Sequence, residues 1–168
     1  FGIYDSFGGY KVGVLNLMGN VFMKKSDDVF LKSKEFLDQN TLKEKYDFLI
    51  VDFHGEITSE KMAIGHVFDG NATFVVGTHT HVPTNDGRVL SKGTAYLTDA
   101  GMCGDYNSVI GMNAENSINR FYRRDSIKHF PAEGEASLCG AIIEANPKNG
   151  LATNISQFIF GGQLQKDK

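Results

Sequence analysis

Residues 46–54 read YDFLIVDFH and residues 72–81 read ATFVVGTHTH, and what lies between them decides the fold. Each is an apolar run of strand length, the mark of a strand buried on both faces. Residues 59–68 carry a helical pattern, with Thr58 or Ser59 placed to cap it and Glu60 suited to its positive N-terminus. Asp69-Gly70-Asn71 stops that helix. Strand, helix and strand in this order make a parallel pair with a right-handed crossover. The carboxyl ends of both strands then share one edge of the sheet, where open α/β sheets hold ligands.

His54 follows the first strand, and His79 and His81 follow the second, so three imidazoles are expected at one rim. In extended backbone His79 and His81 point to the same side. Three convergent imidazoles suit Zn, Fe, Mn or Cu, whereas Mg and Ca prefer oxygen. Asp52, Glu56, Asp86 and Asp99 are candidates for further ligands or for acceptors that orient the rings. A single histidine after a strand is more often a hydrogen-bonded loop residue. The arrival of His54 from the neighbouring strand is what favours a metal. Thr78 and Thr80 interleave with the histidines and either shape a substrate mouth or make turn hydrogen bonds.

Outward from this unit, residues 1–10 read as a loop or hairpin and residues 11–17 (KVGVLNL) as a strand. Gly19-Asn20 is a turn, after which residues 21–23 continue as a short strand. Ser26 or Asp27 caps a helix over residues 28–40, one face of which follows Val29/Phe30, Ser33, Phe36/Leu37 and Asn40. Residues 93–98 form a strand and lead into a Gly-rich loop, DAGMCGDYNSVIG. A short helix fits residues 114–121. Residues 138–144 and 153–160 are strands joined by the hairpin loop NPKNG, and the polar tail QLQKDK frays.

In 168 residues, 41% of them hydrophobic with 13 Phe and 6 Tyr, there is enough apolar area for one folded domain over residues 1–168. No apolar run nears the ~18–20 residues of a membrane span. The net charge of −3 disfavours nucleic acid held by bulk charge. Two cysteines make no disulfide framework, and no secretory pattern opens the sequence, so a reducing, cytoplasmic setting is expected. Cys103 reads as a buried, inert thiol, because no basic residue flanks it. His66 and His129 read as solvated or core residues, and Arg120, Arg123, Arg124 and Lys128 as a solvated basic face.

Four segments, VGVLNLMGNVFM, VDFHGEITSEK, VVGTHTHVPT and GTAYLTDAGMCGDYNSVIG, together resemble the YmdB-like metallophosphoesterases of the calcineurin-like superfamily, over residues 10–160. The resemblance implies an α/β fold, a four-layer αββα sandwich with two metal ions, often iron or manganese, on the strand rim. His54 and His79 match family ligands of one metal, and His81 matches a ligand of the other. It implies hydrolysis of 2′,3′-cyclic nucleotides, and of 3′,5′-cyclic nucleotides as a second class, to nucleoside monophosphates. On this resemblance two cations would clamp the phosphodiester and supply an activated water for in-line attack on phosphorus. The family's amino-terminal third carries an Asp after its first strand, a Glu-Asn pair and an Asn-His pair that supplies the general acid. These motifs are not in this sequence, so a sandwich lacking its amino-terminal third is expected, with no catalytic acid among its residues and its activity alone in question.

Two alternatives stand beside this reading. One is a mononuclear three-His zinc hydrolase, complete with an open coordination position. The other is a non-enzymatic interaction domain with a degenerate metal site. An exposed Gly-rich rim makes a homo-oligomer a candidate assembly.

Overall fold

The computed structural model describes residues 1–122 and 128–164. A first sheet contains β1 (Gly2–Asp5), β2 (Lys11–Met18), β3 (Phe48–His54), β4 (Phe74–Thr78), β5 (Arg88–Val89) and β6 (Ala95–Leu97), in the order β1-β2-β3-β4-β6-β5. The four strands β2, β3, β4 and β6 run parallel, and β1 and β5 close the edges antiparallel. Helix α1 (Val29–Gln39) connects β2 to β3, and α2 (Thr58–Val67) connects β3 to β4. The parallel strand–helix–strand unit expected around His54 is therefore formed. A second, antiparallel sheet has the order β7 (Cys103–Asp105), β8 (Ala136–Ala145), β9 (Ala152–Phe160), and α3 (Ala114–Phe121) lies between β7 and β8 in sequence.

Alternation along β3 explains how the layers meet. Leu49, Val51 and Phe53 are fully buried and cluster with Val29 of α1 and Ile64 of α2. On the opposite face, Ile50 and Val76 pack with Ala141, Ile143 and Ile155 of the second sheet. Helices, first sheet and second sheet thus stack as three layers. On the outer face of the second sheet Leu138, Ile142 and Phe160 are exposed, so among the described residues no helical layer covers them. The expectation that β3 is buried on both faces holds only on the helix side. Its other face is half-buried, because the polar Asp52 and His54 occupy it toward the carboxyl end.

Several local expectations are corrected. Residues 21–23 form a turn. Glu60 takes the N–H of Asn20 at 2.8 Å and that of Val21 at 3.4 Å, so those groups cannot join a ladder. Glu60 is consequently buried and ties α2 to the end of β2. Thr58 and Ser59 lie inside α2, and its cap position, Ile57, offers no side-chain bond. Asp28, not Ser26 or Asp27, caps α1, accepting from the N–H groups of Phe30 and Leu31. The thiol expectation is reversed: Cys103, on the edge strand β7, is exposed, and Cys139 is the buried one. Arg123, Arg124 and residues 165–168 of the tail lie outside the described residues.

Candidate metal centre

His54 ends β3 and is registered against Thr78, which ends β4. The Thr78 hydroxyl donates to Asp52 Oδ1 at 2.9 Å. A hydroxyl has one proton, so toward His54 Nδ1, 3.0 Å away, it acts as acceptor. That places the His54 proton on Nδ1 and leaves the Nε2 lone pair open. Asp52 is itself held through Oδ2 by the side-chain amide of Asn16 on β2, at 2.8 Å. Three parallel strands therefore fix the ring of His54.

His54 Nε2 lies 3.1 Å from His79 Nδ1, with the rings edge to face at 85°. The outer nitrogen of His79, Nε2, is 3.1 Å from Glu56 Oε2, a carboxylate at the start of the β3–α2 loop. Each ring thus has its outer nitrogen tethered to an acceptor and its inner nitrogen facing the other ring. Two lone pairs cannot face each other at this distance without a positive charge between them. A first-row cation fits between them, since two ligands ~2.1 Å from one ion at tetrahedral or octahedral angles lie about 3.0–3.4 Å apart. Ligand histidines characteristically have their other ring nitrogen oriented in this way.

His81 does not join the pair. The chain leaves the extended conformation directly after β4, with φ of 110° at His79 and 66° at His81, so the alternation expected of extended backbone does not apply. His81 Nδ1 donates to the Ile110 carbonyl at 2.7 Å, and the Tyr106 hydroxyl donates to the His81 carbonyl at 3.1 Å. Burial, helped by Cys139, pushes the Tyr106 phenol well above its ordinary value, so it remains a donor at neutral pH. The ring of His81 is held with Nε2 directed elsewhere than the Ile110 bond. Among the described residues, no three His, Cys, Asp or Glu side chains gather closely enough to hold an ion.

The remaining candidates separate by their contacts. Asp86 accepts from the Thr98 N–H and hydroxyl, the Thr84 hydroxyl and Arg88, and braces the loop beyond the rim. Asp99 is buried against Lys61 and also takes the N–H of Thr80. His66, His129, Arg120 and Lys128 are exposed. Lys61 was not singled out from sequence, although a signal was there. It shares a helix face with Ile64, Gly65 and Phe68, and a lysine on a buried apolar face requires a buried partner.

A family model described as YmdB-like protein matches residues 1–158. The 2′,3′-cyclic-nucleotide 2′-phosphodiesterase of Bacillus subtilis (strain 168) is 42% identical over 157 residues, covering 94% of this chain and 59% of the relative. A crystal structure of a hypothetical protein from Thermus thermophilus superposes with a TM-score of 0.84 at 37% identity, covering 96% of this chain and 62% of that one. A structure described as a novel phosphatase of Mycoplasma pneumoniae gives 0.82 at 36% identity, over 95% and 56%. The chain spans about half to three fifths of the length of the proteins it matches.

Proposed function

Since the chain belongs to the YmdB-like family, we propose that it carries a metal-dependent phosphodiesterase site acting on 2′,3′-cyclic nucleotides. The observation that carries the reading is the facing pair His54 Nε2 and His79 Nδ1, each ring tethered through its other nitrogen. These two residues would hold one ion, and His81 would offer Nε2 to a second. Imidazole donors suit iron or manganese, with zinc also compatible. Bound there, the two ions supply charge neutralisation at the phosphodiester and an activated water for in-line displacement.

The chain's own part is preorganisation. Asp52, acting through Thr78, keeps the His54 proton on Nδ1, so no proton competes at Nε2. Glu56 does the same for the outer nitrogen of His79. The Bacillus subtilis relative is named for cutting the 2′ ester, and on this reading the same cut here would give a nucleoside 3′-monophosphate. Water adds to phosphorus, the bond from phosphorus to O2′ breaks, and O2′ takes up a proton. The same reading makes residues 1–168 part of one domain and adds a helical layer over the second sheet, completing an αββα sandwich.

The test is incubation of the full natural chain with Mn²⁺ and 2′,3′-cyclic AMP, with chromatography of the products. The expected product is 3′-AMP. His54→Ala and His79→Ala are expected to cut turnover by at least about 100-fold, beyond the 10- to 100-fold typical of residues that only orient ligands. No turnover with Mn²⁺, Fe²⁺ or Zn²⁺ refutes the proposal.

A further inference from the structure

Lys61 and Asp99 form an ion pair at 2.7 Å in which each side chain is only 1% exposed. Burying two charges is costly, and apolar residues of similar volume often replace such pairs with no loss of stability. Stability alone therefore does not account for this pair. Its other bonds show where it acts. Lys61 Nζ donates to the carbonyl of Thr78 at 2.9 Å, and Asp99 Oδ2 accepts from the N–H of Thr80 at 3.1 Å. The first group belongs to the peptide plane before His79, and the second to the plane after it. The φ and ψ of a residue are the rotations that relate those two planes. The pair thus grips both planes across a residue whose φ, at 110°, lies where side-chain-bearing residues rarely go. Asp99 is fixed in turn by the N–H of Gly101 on Oδ1, at 2.9 Å, and by the Thr84 hydroxyl, which accepts from its backbone N–H at 2.9 Å.

We propose that Lys61 and Asp99 are positioning residues: their buried ion pair imposes the left-handed backbone of His79 and so turns its imidazole onto that of His54. The inference rests on the reading of His54 and His79 as metal ligands for its consequence, and on backbone geometry for its cause. Without the pair, the segment after β4 relaxes toward ordinary φ values, and His79 Nδ1 leaves His54 Nε2. An ion would then find one imidazole in place of two.

The deciding experiment compares Lys61→Met/Asp99→Leu with the unaltered full natural chain. Three readouts are taken: thermal melting, Mn²⁺ affinity with the metal alone, and the ring ¹⁵N shifts of His54 and His79 in metal-free protein. The apolar pair is expected to melt within a few degrees of the parent, bind Mn²⁺ about 10- to 100-fold more weakly, and lose the ring-to-ring hydrogen-bond signature. A purely structural role predicts that affinity and ring shifts recover together with the melting temperature, and that result overturns the proposal. Should the double variant fail to fold, Asp99→Asn decides. It keeps the size of the side chain but places an amide against Lys61 or against the Thr80 N–H. A weaker Mn²⁺ complex and altered His79 shifts are expected, and parental values in both refute the inference. A parent that binds no Mn²⁺ refutes the metal reading, and the metal-free ring shifts still decide the positioning claim.

Discussion

Thr78 shows how much one hydroxyl can organise. It donates to Asp52, accepts from His54, and ends the strand that delivers His79. Thr78→Val keeps the shape and removes the relay, leaving Asp52 Oδ1 and the His54 Nδ1–H half-buried without that partner. The expected cost is ~1–2 kcal/mol of stability and about a 10- to 100-fold loss of Mn²⁺ affinity, with Thr78→Ser retaining both. Urea unfolding and a metal titration of the two variants check it, and equal Mn²⁺ affinity in Val and Ser would dismiss the relay. From sequence, Thr78 was as compatible with a turn as with a site, because its role depends on Asp52 two residues before His54 on the neighbouring strand. Asp52 and Glu56 were legible as orienting acceptors by their closeness to His54. Lys61 and Asn16 were not, since each acts on a partner far along the chain that only the packing of α2 on β4 and the β2–β3 register, respectively, bring near.

Among elements, the long parallel strands and their crossover helix were legible because apolar runs and the 3.6-residue period repeat over many residues. The short strands β5 and β7, of two and three residues, carry no period: β5 has no strand signal of its own, and β7 falls within the Gly-rich stretch expected to be a loop. The close approach of β4 to the chain after β6 is also invisible in a pattern of apolar residues. A Cβ at Gly77 would overlap the carbonyl of Thr98 and press on the stem of Lys61. Backbone cannot yield as a flexible side chain does, so Gly77→Ala is expected to destabilise by ~1–3 kcal/mol or more through overpacking. It should also loosen the Lys61 grip on Thr78. Gly104→Ala, where a Cβ would meet only Met102 at ordinary contact distance, serves as the control, expected within about 0.5 kcal/mol of the parent. Urea midpoints of the two variants measure the difference, and equal midpoints would show that β4 and the Thr98 backbone separate easily.

For the whole molecule, the way it holds its carboxylates sets its response to acid. Burial alone would push Asp99 up, but Lys61 and the N–H of Gly101, with Thr80, hold it below its ordinary 3.8. Burial would likewise push Asp86 up, and the bonds from Thr98, Thr84 and Arg88 more than offset it. Both groups are less readily protonated in the folded chain than in the unfolded one. The stabilisation they give is therefore complete above the unfolded value and is lost as pH falls through the lower, folded value. Both brace the loops that follow the rim strands, Asp99 the segment bearing His79 and His81 and Asp86 the turn beyond it. Acid should consequently loosen this edge of the sheet, while the apolar clusters on its two faces carry no titrating carboxylate. The urea midpoint is expected to hold steady from pH 7 to about 5 and to fall below about pH 4. Asp86→Asn and Asp99→Asn should each begin lower at pH 7 and fall less steeply, because the proton each parent carboxylate would take up has nowhere to go. A midpoint that does not change between pH 6 and pH 3, or variants whose acid slopes equal the parent's, would mean that these bonds form with no net preference for the charged carboxylate.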